Sequence, residues 1–186
     1  MILPIFAYGN PVLKRKADDI PKDHKGIHDL IKNMFNTMDN AKGVGLAGPQ
    51  VGQSLRIFVV DTTVFDEEEE VLPMRKAFIN AQMLDESGKI WPYSEGCLSI
   101  PEVREDVSRK SEIKIKYYDE NFKEHIEEFD GIPARIIQHE YDHIEGILFT
   151  DYLAPLRKRM LKKTLERISK GQIPLDYKMK FNLKLR

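Results

Sequence analysis

Two histidines four residues apart, His139 and His143, with Glu140 beside the first, constrain this chain more than any other feature. Residues four apart stand one turn above each other on an α-helix, so a helix here projects both imidazoles from one face. The flanking sequence favours that helix. Pro133 suits its first turn, Gly146 suits its end, and Ile136, Ile137 and Tyr141 give it apolar contact. Such a face brings two ring nitrogens to one metal ion at about 2.0–2.1 Å, with Glu140 next to the ion but not bound to it. Two surface histidines on a solvated helix would carry the same pattern. The motif therefore needs a third ligand and an open position before it implies chemistry.

The third ligand can be sought in two directions. Downstream, as in metalloproteases with this motif, the chain offers no further histidine, because His143 is the last. Glu145 is too close, and Glu166 lies at a workable distance but on a charged helical surface. Upstream stands Cys97, the single cysteine, between Gly96 and Leu98. A lone cysteine is ordinarily a small buried hydrophobe. As a thiolate it would join two imidazoles in a three-ligand site with one position left for water. A glycine-rich segment, GVGLAGPQ at 43–50, has no Gly-Lys-Ser/Thr end, so it is no phosphate loop. Alone it reads as a tight turn.

The rest of the chain frames these segments. Its 186 residues are 41% apolar and 32% charged, the composition of a globular domain with a real core. A net charge of −1 gives no field to draw DNA or an anionic membrane. One cysteine makes no internal disulfide. The opening MILPIFAYGNP is too short and proline-broken for a signal core, and no apolar run approaches membrane-spanning length, so a cytoplasmic protein is expected. Residues 23–41 carry an apolar stripe, Ile27, Leu30, Ile31, Met34, Phe35 and Met38, which predicts a helix. His24 and His28 would share it, most simply on a solvated face. Residues 55–61 read as a buried strand, 77–80 as a short one, 89–94 and 97–101 as extended or turning chain, and 113–118 with 125–129 as an antiparallel hairpin that leaves His125 exposed. The acidic 66–70 stretch reads as a loop. Residues 152–169 predict a third helix, whose basic face of Lys158, Arg159, Lys162 and Lys163 reads first as solvated, with ribosome association as the second reading. The expectation is one α+β domain, 1–170, with antiparallel strands packed around the helix bearing His139 and His143, an N-terminal helix, a C-terminal helix and a polar tail at 171–186.

Taken together, GVGLAGPQ at 43–50, EGCLS at 95–99 and QHEYDHIEG at 138–146 resemble the three ordered motifs of the peptide deformylases. The likeness runs from about residue 5 to about residue 150. Gly48 stands where the family usually has a second alanine, which puts local rigidity in question because glycine has more backbone freedom. The resemblance implies hydrolysis of the formyl group from formyl-methionine at the start of newly made polypeptides. It implies one divalent metal on Cys97, His139 and His143, iron(II) in first place, with zinc, nickel or cobalt as replacements. That metal would activate water and polarise the formyl oxygen. Glu140 would move protons, and the Gln50 side-chain amide and the Leu98 N–H would donate to the oxyanion. Gly45 and Arg104 would bind the peptide, Val44, Ile132 and Ile136 would line the methionine pocket with His139, and Asp142 and Gln138 would support the site. A metalloprotease and a metal-binding protein without activity are the competing readings. Intact Glu140 and Gln50 speak against the second.

Overall fold

The computed structural model describes residues 1–65 and 71–182. The acidic 66–70 stretch lies outside them. In chain order the strands and helices are β1 (Ile5–Phe6), α1 (Ile27–Asn40), β2 (Gly45–Ala47), β3 (Ile57–Asp61), β4 (Arg75–Cys97), β5 (Ile100–Tyr118), β6 (Glu124–Asp130), α2 (Gly131–Glu145), α3 (Pro155–Ser169) and β7 (Met179–Lys180). Strands β2 to β6 form one five-stranded antiparallel sheet in sequence order, and β1 pairs with β7 in parallel. The α+β class expected from the sequence, with an antiparallel sheet and three helices, is what the chain adopts.

Strand periodicity explains how the sheet sits between helices. Successive side chains of a strand point to opposite faces. Along β3, Ile57 and Val59 enter a cluster with Ile27, Ile31, Met34 and Met38 of α1. Phe58 and Val60 enter a second cluster with Ala134, Ile136, Ile137 and Ile144 of α2. Strand β4 divides its residues likewise, Ala77 and Ile79 toward α1 and Phe78 toward α2. A third cluster gathers Leu165 and Ile168 of α3 with Leu13, Ile100, Val107 and Phe149.

Several elements differ from the sequence-based boundaries. Helix α1 begins at Ile27, after Gly26 in the left-handed region at φ 87°, so His24 lies outside the helix and does not share it with His28. His125 is half-buried, stacked on Tyr117 at 5.3 Å and bonded to Asp119 at 2.8 Å. The glycine-rich segment is a short strand, β2, followed by a 3₁₀ turn at Gly48–Val51. Gly48 is there because the backbone closes on a neighbour: a Cβ at this position would sit 2.7 Å from the Leu55 carbonyl oxygen.

The largest difference is β4, which runs 23 residues where a short strand was expected. With β5 it makes a long hairpin interrupted by four register shifts. Each bulge breaks the apolar alternation, and Leu84 and Ile90 in the outer part are exposed at 48% and 67%. Its near end is a two-residue turn: Cys97 pairs with Ile100, leaving Leu98 and Ser99 at the tip. Residues beyond α3 fold back, and β7 lies beside β1.

Phe78 anchors the face toward α2. Its ring stacks on Phe58 at 4.8 Å, tilts on Tyr117 at 4.3 Å and meets Phe129 edge-on at 6.1 Å. Phe78→Ala is expected to lower unfolding free energy by roughly 3–5 kcal/mol, read from urea denaturation. A loss under about 1 kcal/mol, where aromatic truncations in a packed core usually cost more, would show that the cluster closes over the gap.

Candidate active site

Helix α2 presents His139, Glu140 and His143 in its last turns, all buried. The helix stops directly afterwards, because Gly146 takes the left-handed conformation and caps it with an N–H to the His143 carbonyl at 3.2 Å. The two imidazole rings stand 5.0 Å apart. Cys97 reaches them from the end of β4, with Sγ 3.2 Å from His143 Nε2. One donor atom from each of Cys97, His139 and His143 lies within 4.8 Å of the others. Tetrahedral sulfur and nitrogen ligands on one small divalent ion stand about 3.3–3.6 Å apart, so a modest inward adjustment fits this set to such an ion. Glu166 is exposed on α3 and takes no part in this group.

Glu95, two residues before Cys97, orients one of the helix ligands, His139. Its Oε2 bonds His139 Nδ1 at 2.9 Å, which leaves Nε2 as the free ring nitrogen. It also accepts from Arg109 at 2.7 and 3.0 Å and from Arg135 at 2.9 Å. Arg109 continues to Asp142 at 2.7 Å, and Asp142 accepts from the Tyr152 hydroxyl at 3.0 Å. Burial alone would raise the Glu95 pKa. Hydrogen bonds from His139 and Arg109, with their charges, overcome it and hold the carboxyl at about 2. Burial, with the nearby His139 and Arg109 charges, pushes His143 well below its ordinary value. The sequence pointed to Asp142 as a support. It gave no sign of Arg109 or Arg135, which lie in strand and helix stretches with no motif of their own. Gln138 bonds Glu86 at 2.7 Å instead of a group in the site.

Glu140 faces the open side. Its Oε2 is buried without a hydrogen-bond partner among the described residues. Burial pushes its carboxyl up to about 7, with Glu95 and Asp142 adding to the rise and His139 opposing it. Gly45 of β2 passes so close that a Cβ there would meet the Glu140 side chain, 2.8 Å from its Cδ, so any larger residue would have to displace that carboxylate. Across from Glu140, the Gln50 amide is locked by the Ala47 N–H, which donates to Oε1 at 2.8 Å. Its Nε2 is thereby aimed at Cys97 Sγ, 3.4 Å away, and at Ser99 Oγ, 3.3 Å away.

These groups open on a cavity of about 640 Å³. Val44, Gly45, Leu98, Ile132 and Ile136 line it, as do Tyr93, Arg135 and Tyr177, which the motifs did not indicate. Arg104 is exposed at the rim and donates to the Ser94 carbonyl at 2.6 Å.

Residues 2–159 match the family model described as polypeptide deformylase. The chain belongs to the polypeptide deformylase family. Peptide deformylases of Christiangramia forsetii and Cytophaga hutchinsonii are each 56% identical to it, across 97% and 99% of this chain and 96% and 100% of their own. A crystal structure of a peptide deformylase from Legionella pneumophila superposes with a TM-score of 0.82 at 31% identity, covering 92% of this chain and 98% of that one. A Met-Ala-Ser-bound deformylase from Acinetobacter baumannii gives 0.77 at 32% identity, covering 82% of this chain and 99% of that one. Deformylases depend on a metal, and the grouping of Cys97, His139 and His143 is a place where this one can hold it.

Glu95→Ala in this deformylase leaves buried Arg135 without its carboxylate partner and Arg109 with Asp142 alone. The expected cost at pH 7 is roughly 3–5 kcal/mol, with metal affinity falling about 10–100-fold as the His139 ring loses its brace. The Glu95 carboxyl is depressed in the folded state, so its contribution is full above the unfolded value of 4.5 and is lost as pH falls toward about 2. The stability gap between wild type and variant in urea denaturation should narrow across that interval. A gap that stays constant from pH 7 to pH 3 would remove the carboxylate charge as its source.

Proposed function

We propose that this deformylase hydrolyses the N-formyl group from formyl-methionine at the start of nascent polypeptides, with Glu140 as its proton carrier. The observation that carries the reading is the buried Glu140 carboxylate, with one oxygen lacking a hydrogen-bond partner among the described residues, at the cavity beside the three-ligand group. When bound by Cys97, His139 and His143, a divalent metal supplies Lewis-acid activation of water and of the formyl oxygen. Iron(II) is the metal proposed, with zinc, nickel or cobalt able to replace it.

Each residue then has a defined task. Glu140 accepts a proton from the attacking water as a bond forms to the formyl carbon. A carboxyl poised at about 7 can both take that proton and give it up. Negative charge gathers on the formyl oxygen, where the Gln50 Nε2 amide and the Leu98 backbone N–H donate. Gln50 is suited to this because the Ala47 N–H fixes its amide before substrate arrives. Glu140 next delivers the proton to the departing nitrogen, the C–N bond breaks, and formate leaves with the free amine as second product. Gly45 and Arg104 hold the peptide part. Val44, Ile132 and Ile136 accept the methionine side chain, their apolar surfaces all facing the cavity.

The reading extends to the chain as a whole. It takes α2 as the central element, residues 1–170 as the catalytic domain and 171–186 as an appended segment. It places the protein in the cytoplasm, in keeping with the lack, among the described residues, of a helix long and apolar enough to cross a membrane. The exposed basic face of Lys158, Arg159, Lys162 and Lys163 is the surface proposed to approach the ribosome.

Glu140→Gln should retain metal while formate release falls by about 10²–10⁴-fold, the usual contribution of a positioned acid–base group. Near-normal turnover by that variant would take Glu140 out of the mechanism. Metal-loaded protein should cleave formyl-Met-Ala-Ser in preference to acetyl-Met-Ala-Ser by more than the roughly 10–200-fold that one methyl group commands through burial alone. The added methyl must also shift the carbonyl from its attack position. Comparable cleavage of the acetyl peptide, or new fragments from casein, would favour a protease instead.

A further inference from the structure

Tyr177 stands between α3 and β7 and reaches back to the hairpin turn next to Cys97. Its hydroxyl donates to the Leu98 carbonyl at 2.8 Å. Its ring packs with Leu98 against the α1 cluster and lines the cavity. The other carbonyl of the turn, that of Ser99, accepts from the Tyr8 N–H at 2.8 Å. Tyr8 and Tyr177 are themselves on linked segments. The Ile5 and Ala7 N–H groups donate to the Lys178 and Lys180 carbonyls, both at 2.9 Å, and Asn10 Nδ2 donates to Lys180 at 3.0 Å. The two ends of the chain thus grip both carbonyls of a two-residue turn.

We infer that Tyr177 is a positioning residue for deformylation, holding the Leu98 carbonyl so that the Leu98 N–H stays aimed at the developing oxyanion. This rests on the reading of that N–H as an oxyanion donor. A backbone amide has no side chain of its own to be braced by, so its aim depends on what restrains the residue that carries it. Leu98 sits at the tip of a hairpin, where no cross-strand partner holds it. Its N–H and C=O are separated only by its own φ and ψ, so fixing the carbonyl narrows the swing of the amide. Donor placement matters at the scale of about 0.5 Å for such a site. Burial raises the Tyr177 pKa, and the charges of Cys97 and Asp176 raise it further, so the phenol remains a donor throughout the working range. Residues 171–186, read from the sequence as a polar tail, on this account contribute a working part of the catalytic centre.

Tyr177→Phe keeps the ring and removes only the hydroxyl. In the full-length, metal-loaded protein with formyl-Met-Ala-Ser, kcat should fall about three- to tenfold, the scale of one neutral hydrogen bond. KM should stay within about twofold and metal content should not change, since the donor acts chiefly in the transition state. Amide hydrogen exchange of residues 96–100 should quicken in the same variant. An unchanged kcat would overturn the inference. So would a loss seen wholly in KM or matched by lost metal, because either assigns Tyr177 to binding or to general structure. Should the wild type release no formate, the deformylase reading itself fails. The exchange comparison would still decide whether Tyr177 holds the turn, and unchanged exchange would overturn that as well.

Discussion

The Glu95 carboxylate is the contact on which the site's geometry depends. It lies on β4, yet it binds Arg109 of β5 and both Arg135 and His139 of α2. A buried charge costs several kcal/mol to desolvate and is tolerated only with good partners. Here the two guanidinium groups supply them in a fixed fork geometry, and the histidine supplies a further bond. Helix and hairpin have no covalent link nearby in sequence. Their relative placement is set by apolar packing over a broad area and by this ion cluster at one point. The cluster lies two residues from Cys97 and ends on the ring of His139, so the carboxylate that braces a helix ligand stands on the strand that carries the cysteine.

Around that point the structure separates what must be rigid from what must admit substrate. The α2 side is dense: His139, Glu140 and His143 sit among buried residues, and Gly146 ends the helix immediately after them. The opposite wall consists of thin pieces, a three-residue strand, a 3₁₀ turn and a hairpin tip. Each is stiffened by specific bonds in addition to its packing. Gln50 is tied through Ala47, the Ser99 carbonyl through Tyr8 and the Leu98 carbonyl through Tyr177. Thin walls held in this way leave room for a peptide without leaving the donors free to wander.

Much of this was legible in the residues themselves. The stripe of Ile27, Ile31, Met34 and Met38 specified α1, and the spacing of His139 and His143 specified α2, because helical periodicity is a local property. The three ligand residues came together from two distant segments through motif resemblance, not through any local rule. What stayed hidden is what depends on long-range pairing. The outer half of β4 reads only as extended or turning chain at 89–94, because its bulges and two exposed faces erase the alternation that marks a strand. Arg109 looks like any surface arginine until the strand pairing turns it inward. Tyr177 stands in a polar segment, and only the return of that segment to β1 brings it to the site. His24 shows the opposite failure, since α1 begins only at Ile27, after Gly26, and not at residue 23 as the apolar stripe suggested.

Strand β3 gives the sheet an unusual security. Neighbouring residues, Ile57 with Val59 and Phe58 with Val60, serve opposite cores. A slip of one residue would carry every one of these side chains to the wrong side at once. Many antiparallel strands have a wet face that could absorb such an error; β3 has none, being buried along its whole length. Strand β2 is laid down on this template, with Gly45 opposite Val60. The narrow passage of Gly45 past Glu140 is thereby inherited from an alignment enforced from above and below. The substrate cleft gets its accuracy from a strand whose side chains lie in the two cores.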